Sequence, residues 1–202
     1  MHTVATRIGP HSPDTPSTGD MRHMRPTLLV LLLGVSTVLH AQRAESSRAL
    51  GLELSAYPAG VISVARLTVP IASTWSMEAT AGLNITNRGD YGEHDNEEGE
   101  GPGAGIGIRW SEREPSAWFL GARVEVWRLT IDWRDDPALT GETEVTVLQP
   151  TLRGGHGWNL GAGRFRFEVG GALGVEINAS TTGEPVGEGA IVLGGLALLY
   201  RF

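Results

Sequence analysis

The chain has 202 residues, a formal charge of -7 and no cysteine, and its sixteen basic residues are all arginine. A chain without cysteine can form neither a disulfide nor a cysteine-ligated metal site. No run of basic residues occurs, so the electrostatic footprint expected of a nucleic-acid-binding protein is missing. The length fits a single domain, and we expect no nucleic-acid partner.

The N-terminal segment is predicted to lie outside the folded domain. Residues 1–20 are rich in Pro, Ser, Thr and Gly without any period, as in an unstructured extension or a start assigned too early. A basic segment, an apolar run from Leu28 to Leu39 and the small residue Ala41 follow. This layout predicts a secretory signal peptide over residues 21–41. The apolar run is too short for a membrane-spanning helix, which needs roughly 20 apolar residues. The mature domain would comprise residues 42–202.

The mature domain shows alternating apolar and polar residues in segments that turn residues separate. Such a period of two predicts β-strands, with every second side chain on the same face. No helical period is convincing. In chain order, the eight predicted strands are Leu50–Tyr57, Val61–Val69, Trp75–Ile85, Gly103–Trp110, one from Trp118, one from Val145, Arg164–Asn178 and Ala190–Phe202.

Two segments between these strands are predicted to be long loops, namely the acidic segment Thr86–Gly101 and the segment Arg134–Gly141. In the fifth strand the apolar positions change parity after Val126, and a matching change occurs in the sixth. One inserted residue in each strand, a β-bulge, would produce both changes. Pro150 fits the sixth strand poorly, because a closed barrel has no edge strand on which a missing donor is tolerated.

The last predicted strand, AIVLGGLALLYRF, is apolar at every second position and ends on an aromatic residue. It resembles the closing strand of a bacterial outer-membrane β-barrel, which the barrel-assembly machinery recognises. Over the mature chain, the architecture resembles small barrels of the OmpA-transmembrane, OmpX and OmpW kind. The resemblance implies an all-β fold, an eight-stranded antiparallel up-and-down transmembrane β-barrel, exported to the outer membrane. The residues that match the C-terminal assembly signal are Leu196, Leu198, Tyr200 and Phe202.

Aromatic residues are expected at one rim of this barrel. If the strands run up and down from a periplasmic N-terminus, eight aromatic residues fall at periplasmic strand ends, all on the apolar face. Amphipathic rings concentrate in such girdles at membrane interfaces. The predicted girdle comprises Trp75, Trp110, Trp118, Trp158, Phe165, Phe167, Tyr200 and Phe202.

Charged side chains fall in the lumen when the apolar face points outward. Eight strands enclose a space that side chains just fill, so we expect these charges to pair across the interior. The predicted network comprises Glu53, Arg66, Glu78, Arg109, Arg123, Glu125, Arg153, Arg164, Arg166, Glu168, Glu176 and Arg201.

The predicted function is a structural or surface-interaction role, with outer-membrane lipid and the barrel-assembly machinery as partners of a monomer. The mature chain has only two histidines, His94 and His156, and no nucleophile with an oriented base can be assembled around them. We therefore expect no enzymatic activity, no cofactor and no metal site. Two alternatives remain open, because alternation alone does not say which face is interior. One is a narrow porin-like pore for small solutes or ions, and the other is a soluble, secreted, lipocalin-like binding barrel.

Overall fold

The computed structural model describes residues 48–89, 92–112, 116–136 and 139–202. These residues form a closed barrel of eight antiparallel strands, in which each strand pairs with its sequence neighbours and β8 pairs with β1. Both the extension predicted over residues 1–20 and the signal peptide predicted over residues 21–41 lie outside the described residues. The strands are β1 (Ala49–Tyr57), β2 (Gly60–Pro70), β3 (Trp75–Asn87), β4 (Asn96–Ser111), β5 (Ser116–Asp136), β6 (Leu139–Leu160), β7 (Phe165–Thr182) and β8 (Gly189–Arg201).

The barrel has two rims that differ in their connections. The terminal rim carries the start of β1, the end of β8 and the β2–β3, β4–β5 and β6–β7 connections. The distal rim carries the other four connections. Strand β1 has 9 residues, whereas β5 has 21 and β6 has 22, so the wall formed by β5 and β6 rises beyond β1 at the distal rim. In the described part of the chain, no helix is both long and apolar enough to cross a membrane.

The two predicted long loops are wrong. Within Thr86–Gly101, β4 already begins at Asn96, and Glu98 pairs with Asn87 of β3. Within Arg134–Gly141, β5 and β6 continue until only residues 137–138 separate them. The backbone ladder does not depend on apolar side chains, and acidic residues on the exposed face of a strand stay solvated. A polar composition therefore concealed strands that continue to the distal rim.

The β-bulge predicted in the fifth strand is also wrong. Strand β5 pairs with both β4 and β6 without a register shift as far as Arg134. The apolar side chains change sides because their surroundings change along the strand. Val124 and Val126 are exposed on the outside, whereas Trp127 and Leu129 are fully buried inside.

In β6, too, the apolar side chains change from the outer face to the inner face, a change named here the inversion. Val145 and Val147 are buried inside the distal part of the barrel, whereas Leu152 is exposed on its outer face. A register shift does occur beside Val147, but it places the extra residue, Ala179, on β7 and leaves the alternation of β6 intact. Pro150 lies in the middle of β6 opposite Val124 of β5. The β6–β7 pairing is interrupted at this proline, so its missing donor falls at a gap in the ladder.

The β6–β7 turn contains three consecutive residues with left-handed backbone. Gly161 has a φ of 53°, Ala162 of 55° and Gly163 of 80°. Glycine adopts this conformation freely, whereas a residue with a Cβ atom pays roughly 1–2 kcal/mol for it. Ala162 is therefore a strained position in the turn.

We expect Ala162→Gly to raise the free energy of unfolding by about 0.5–1 kcal/mol, because relief of strain exceeds the extra entropy that glycine has in the unfolded chain. Urea-induced unfolding in lipid vesicles measures the change. Ala122→Gly, on the exposed face of β5, is the control and should destabilise the barrel by a similar amount. A loss of stability in both variants would contradict the strain at Ala162.

Candidate functional site

The half of the lumen next to the terminal rim holds a group of buried charges, named here the ionic cluster. Each member belongs to the inward-facing parity of its strand, which follows from the alternation of side chains along a strand. Seven of the eight strands, β1 to β7, contribute to it. The ionic cluster consists of five arginines and four glutamates: Arg66, Arg109, Arg123, Arg153, Arg166, Glu53, Glu78, Glu125 and Glu168.

Glu53 of β1 is one centre of this cluster. Its carboxylate accepts a hydrogen bond of 2.8 Å from Arg66 and bonds of 2.8 and 3.2 Å from Arg123. Arg153 donates to the same carboxylate. Glu78 of β3 lies beside this group and accepts a bond of 2.9 Å from Arg123. Charge-assisted bonds of this kind are roughly twice as strong as those between neutral groups.

Glu168 of β7 is the second centre. Arg109 donates two bonds to it, of 2.9 and 2.6 Å, and the Nε atom of Arg166 donates one of 2.7 Å. Arg66 also donates to Glu168 and so joins the two centres. A buried charge is tolerated only when it is paired and hydrogen-bonded, and both carboxylates meet that condition.

Glu125 lies at the margin of the ionic cluster. Its carboxylate accepts a bond of 3.1 Å from the hydroxyl of Thr80 and one of 3.5 Å from Arg123. Arg123 also binds both Glu53 and Glu78, so it does not depend on this contact.

Three residues of the predicted network make no ion pair within the ionic cluster. Arg164 is exposed in the β6–β7 turn, because β7 begins only at Phe165 and the left-handed turn breaks the alternation that the prediction extended. Arg201 is half-buried at the end of β8, on the inward parity of Ala197 and Leu199. It makes no direct ion pair with the ionic cluster, but its charge interacts with those of Arg166, Glu168 and Arg109. Glu176 is buried, but it belongs to a second cluster nearer the distal rim.

Phe119 is an interior aromatic residue that the predicted network omits. Its ring is buried in the lumen, and the guanidinium carbon of Arg109 lies 3.9 Å from the ring centroid. Two inward glycines make room for it, since a Cβ atom would lie 2.7 Å from the ring at Gly155 and 3.1 Å at Gly170. Phe119 shares its parity in β5 with Arg123, and that parity was the signal that could have placed it inside.

The second group of buried charges, named here the distal cluster, lies toward the distal rim. Arg88 donates a bond of 3.0 Å to Glu97 and one of 3.1 Å to Glu176. Gln149 donates to Glu176 at 3.3 Å and accepts a bond of 2.9 Å from the indole nitrogen of Trp127. The sequence prediction missed Arg88 and Glu97 because both fell in the predicted acidic loop.

An apolar core surrounds Trp127 in the part of the barrel toward the distal rim. It is built from inward positions of five strands and from the β7–β8 connection, and it resembles the core of a soluble protein. Its members are Tyr57, Ile62, Val64, Trp127, Leu129, Ile131, Val145, Val147, Val186, Ile191 and Leu193.

The outer face is apolar from the terminal rim to the level at which the outward side chains of β5 change from apolar to polar. Exposed leucine, isoleucine and valine side chains from all eight strands cover it. All eight residues of the predicted girdle point outward at the terminal rim. Six are exposed and two are half-buried, the exposed ones being Trp75, Trp118, Trp158, Phe165, Tyr200 and Phe202, and the half-buried ones Trp110 and Phe167.

The rings of the girdle contact one another across the strands. Trp158 stacks on Phe167 with ring centroids 6.1 Å apart, and His156 lies between Trp118 and Trp158 at 5.0 and 4.6 Å. Offset and edge-to-face contacts at such distances stabilise aromatic pairs. The outward position of His156 agrees with its predicted parity.

The residues of the predicted C-terminal signal lie on the outer face of the closing strand. Leu196, Leu198 and Tyr200 are exposed and lie opposite residues of β1. The backbone nitrogen of Phe202 donates a bond of 2.9 Å to the carbonyl oxygen of Arg48, which extends the β1–β8 pairing to the end of the chain.

Two solved structures have a similar arrangement of strands, each with a TM-score of 0.51. The N-terminal β-barrel domain of Pseudomonas aeruginosa OprF is 12% identical, and the alignment covers 77% of this chain and 97% of that one. Neisserial surface protein A is 10% identical, with 77% and 95% covered. No protein-family model matches the chain, and no curated protein matches it significantly. The chain therefore has the eight-stranded, antiparallel up-and-down fold of small outer-membrane β-barrels.

Proposed function

We propose that this protein is an integral barrel of the bacterial outer membrane with a closed lumen and a structural or surface-interaction role, acting as a monomer without catalysis. Its distal rim would face the outside of the cell. The observation that carries this proposal is the inversion of the wall. In β5 and β6, where the outer face changes from apolar to polar, the inner face changes from charged and polar to apolar. A barrel wall that leaves lipid for water requires a polar outer face, and an apolar inner core can then stabilise the part that water surrounds.

The height of the apolar face supports this placement. In β5, outward residues are apolar from the ring of Trp118 to Val126 and polar from Arg128 onward. This segment has nine residues, the lower limit of the roughly 9–11 that a tilted strand needs to cross a bilayer. The aromatic girdle would then lie at the periplasmic interface.

The polar lumen argues against a soluble, lipocalin-like barrel. Such a barrel buries an apolar cavity for its ligand and exposes polar residues to water. Here Arg66, Glu168 and Arg123 are buried inside, whereas leucine and isoleucine side chains are exposed outside. A lumenal cavity of about 20 Å³ lies beside Arg153 and has room for about one water molecule.

The paired charges argue against a pore. Every glutamate of the ionic cluster is bound by at least one arginine. Ion passage would require several of these buried pairs to separate at once. The filled lumen therefore supports a role carried by the surface of the barrel.

Cell fractionation and electrophoresis test the membrane proposal. We expect the full-length protein in the outer-membrane fraction, with a gel mobility that changes on boiling. In planar bilayers, we expect no stable conductance from the purified protein. A soluble periplasmic protein would refute the membrane location, and a large steady conductance would refute the closed lumen.

We expect Phe202→Ala to reduce the amount of assembled barrel in the outer membrane severalfold while leaving export and signal-peptide cleavage intact. The proposed reason is that the barrel-assembly machinery binds the aromatic end of β8. Quantitative blotting of membrane and periplasmic fractions measures the change. Phe165→Ala removes another exposed ring of the same rim and is the matched control. Equal membrane levels for Phe202→Ala and the unmodified protein would contradict the proposal.

A further inference from the structure

The lumenal cavity beside Arg153 lies against the two centres of the ionic cluster. Its polar wall consists of Glu53, Ser55, Arg66, Arg153 and Glu168. The rest of the wall consists of Phe119 and of glycine and apolar residues of β7 and β8. With a volume of about 20 Å³, the cavity holds one particle of about the size of a water molecule. The hydrogen-bonding groups of the wall decide which particle fits.

The two carboxylates of this wall have little acceptor capacity left. Glu53 accepts four N–H bonds, one each from Arg66 and Arg153 and two from Arg123. Glu168 also accepts four, from Arg66, Arg109 and Arg166. An ionised carboxylate offers about four lone-pair sites, so these bonds use the capacity of both groups. A water molecule in the cavity would find no acceptor on either carboxylate for its own protons.

Donors, in contrast, remain on the same wall. Arg66 is buried, and its Nε atom has no hydrogen-bond partner among the described residues. Arg153 donates to Glu53 and Glu78 with its two terminal nitrogens, and a guanidinium has five N–H groups in all. Ser55 adds a hydroxyl at an inward position of β1. The wall therefore suits a particle that only accepts hydrogen bonds.

The charge of the ionic cluster favours the same kind of particle. Its five arginines and four glutamates leave one positive charge in excess. A buried charge is stable only when an opposite charge compensates it. The excess is therefore an unfavourable feature of the closed lumen unless a further anion is bound.

The other charges in the lumen lie apart from this excess. Arg201 adds a positive charge toward the terminal rim, where its charge interacts with those of Arg166 and Arg109. The distal cluster has one negative charge in excess, since Arg88 pairs with both Glu97 and Glu176. In the described part of the chain, no ion pair joins the distal cluster to the ionic cluster. The compensating anion is therefore expected beside the ionic cluster itself.

We propose that the cavity beside Arg153 binds a single small monovalent anion, chloride, which completes the charge balance of the ionic cluster. The Nε–H group of Arg66, the remaining N–H groups of Arg153 and the hydroxyl of Ser55 would donate to it. The bound ion would stabilise the closed lumen as a fixed counter-charge. This inference goes beyond the proposed function and does not depend on it, because the cavity lies inside the barrel whatever surrounds the outer face.

Urea-induced unfolding of the full chain tests the proposal. The total salt concentration is held constant while chloride replaces gluconate, an anion too large for the cavity. We expect the equilibrium constant for unfolding to fall roughly tenfold for each tenfold rise in chloride above the dissociation constant, as for one site that exists only in the folded protein. Equal unfolding in chloride and gluconate would overturn the proposal.

Two variants change the charge of the ionic cluster in opposite directions. Arg153→Gln removes one cation and donors of the cavity wall, and Glu53 keeps Arg66 and Arg123 as partners. We expect it to lose the dependence on chloride. Glu125→Gln raises the positive excess and leaves the cavity wall unchanged, so it should keep that dependence. Full dependence on chloride in Arg153→Gln, or its loss in Glu125→Gln, would refute the proposed site.

Bromide locates the site directly and does not require a folded variant. In crystals of the unmodified protein grown with bromide in place of chloride, we expect an anomalous scattering peak in the cavity between Arg66 and Arg153. Ser55→Ala should lower the occupancy of this peak severalfold, because it removes one donor. Bromide bound only elsewhere on the protein would overturn the proposal, even if chloride stabilised the barrel.

Discussion

Glu168→Gln is expected to lower the free energy of unfolding by about 3–5 kcal/mol, since it breaks buried ion pairs and leaves one buried cation, Arg166, without a counter-charge. The Glu168 carboxylate binds Arg66, Arg109 and Arg166. Arg66 keeps Glu53, and Arg109 keeps a weaker contact of 3.4 Å with Glu78. Arg166 has no other carboxylate among the described residues, so its desolvation is no longer offset. Urea-induced unfolding in lipid vesicles measures the loss.

Glu125→Gln is the matched control, because it makes the same chemical change in the same lumen. Glu125 is bound by Thr80 and by a longer contact with Arg123, which keeps two other carboxylates. We expect a loss of about 1 kcal/mol or less, as for one ordinary hydrogen bond. Equal losses in the two variants would contradict the central position of Glu168 in the ionic cluster.

The strands could be predicted because the signal for them is local. A period of two and a turn residue can be recognised within ten residues of sequence, and this sufficed for eight strands, their order and the division of their side chains between two faces. The outward assignment of the apolar faces also needed the aromatic residues at one rim. The extent of β4 could not be predicted from apolar residues, because its first part carries Glu98 and Glu100 on the outside. Glycines occupy every second, inward position from Gly99 to Gly107, and Glu97 lies at the next inward position before them. This period of two was the available signal for the first part of β4.

The sequence predicted most residues of the ionic cluster, but it did not predict which of them form ion pairs with one another. Parity along a strand decides which side chains face the lumen, and that rule placed Glu53 and Arg153 inside. Their contact joins positions 100 residues apart, and it depends on the register of every strand between them. The prediction of Arg164 as a member extended the parity of β7 through a turn whose left-handed backbone does not continue it.

The change of parity in β5 is visible in the sequence, but the sequence does not show its cause. A β-bulge and a change of environment produce the same pattern of apolar positions, and only the ladder distinguishes them. Strand β2 contains the same signal, since Ile62 and Val64 share the parity of Arg66 but belong to the apolar core. One inversion thus explains the irregular alternation of three strands.

Trp127→Ala is expected to lower the free energy of unfolding by about 3–5 kcal/mol, because it removes a large aromatic side chain from a closed core. The Trp127 side chain is fully buried. Its indole donates to Gln149, which would lose that partner. Gly103 of β4 is fitted to it, since a Cβ atom there would lie 2.1 Å from the indole ring. Urea-induced unfolding in lipid vesicles, followed by the change in gel mobility, measures the loss without relying on tryptophan fluorescence.

Val126→Ala is the control for Trp127→Ala, because it shortens the neighbouring residue on the outer face of the same strand. Val126 is 44% exposed on the outer face, and we expect a loss of about 1 kcal/mol or less, since Val→Ala removes two methyl groups that are not enclosed in a core. The pair also decides between the two explanations of the parity change. If a bulge had kept the apolar face outward, Trp127 would point away from the core and both variants would have small effects. A large loss for Trp127→Ala alone requires an inward core at this level, and hence a barrel wall that continues beyond its apolar outer belt.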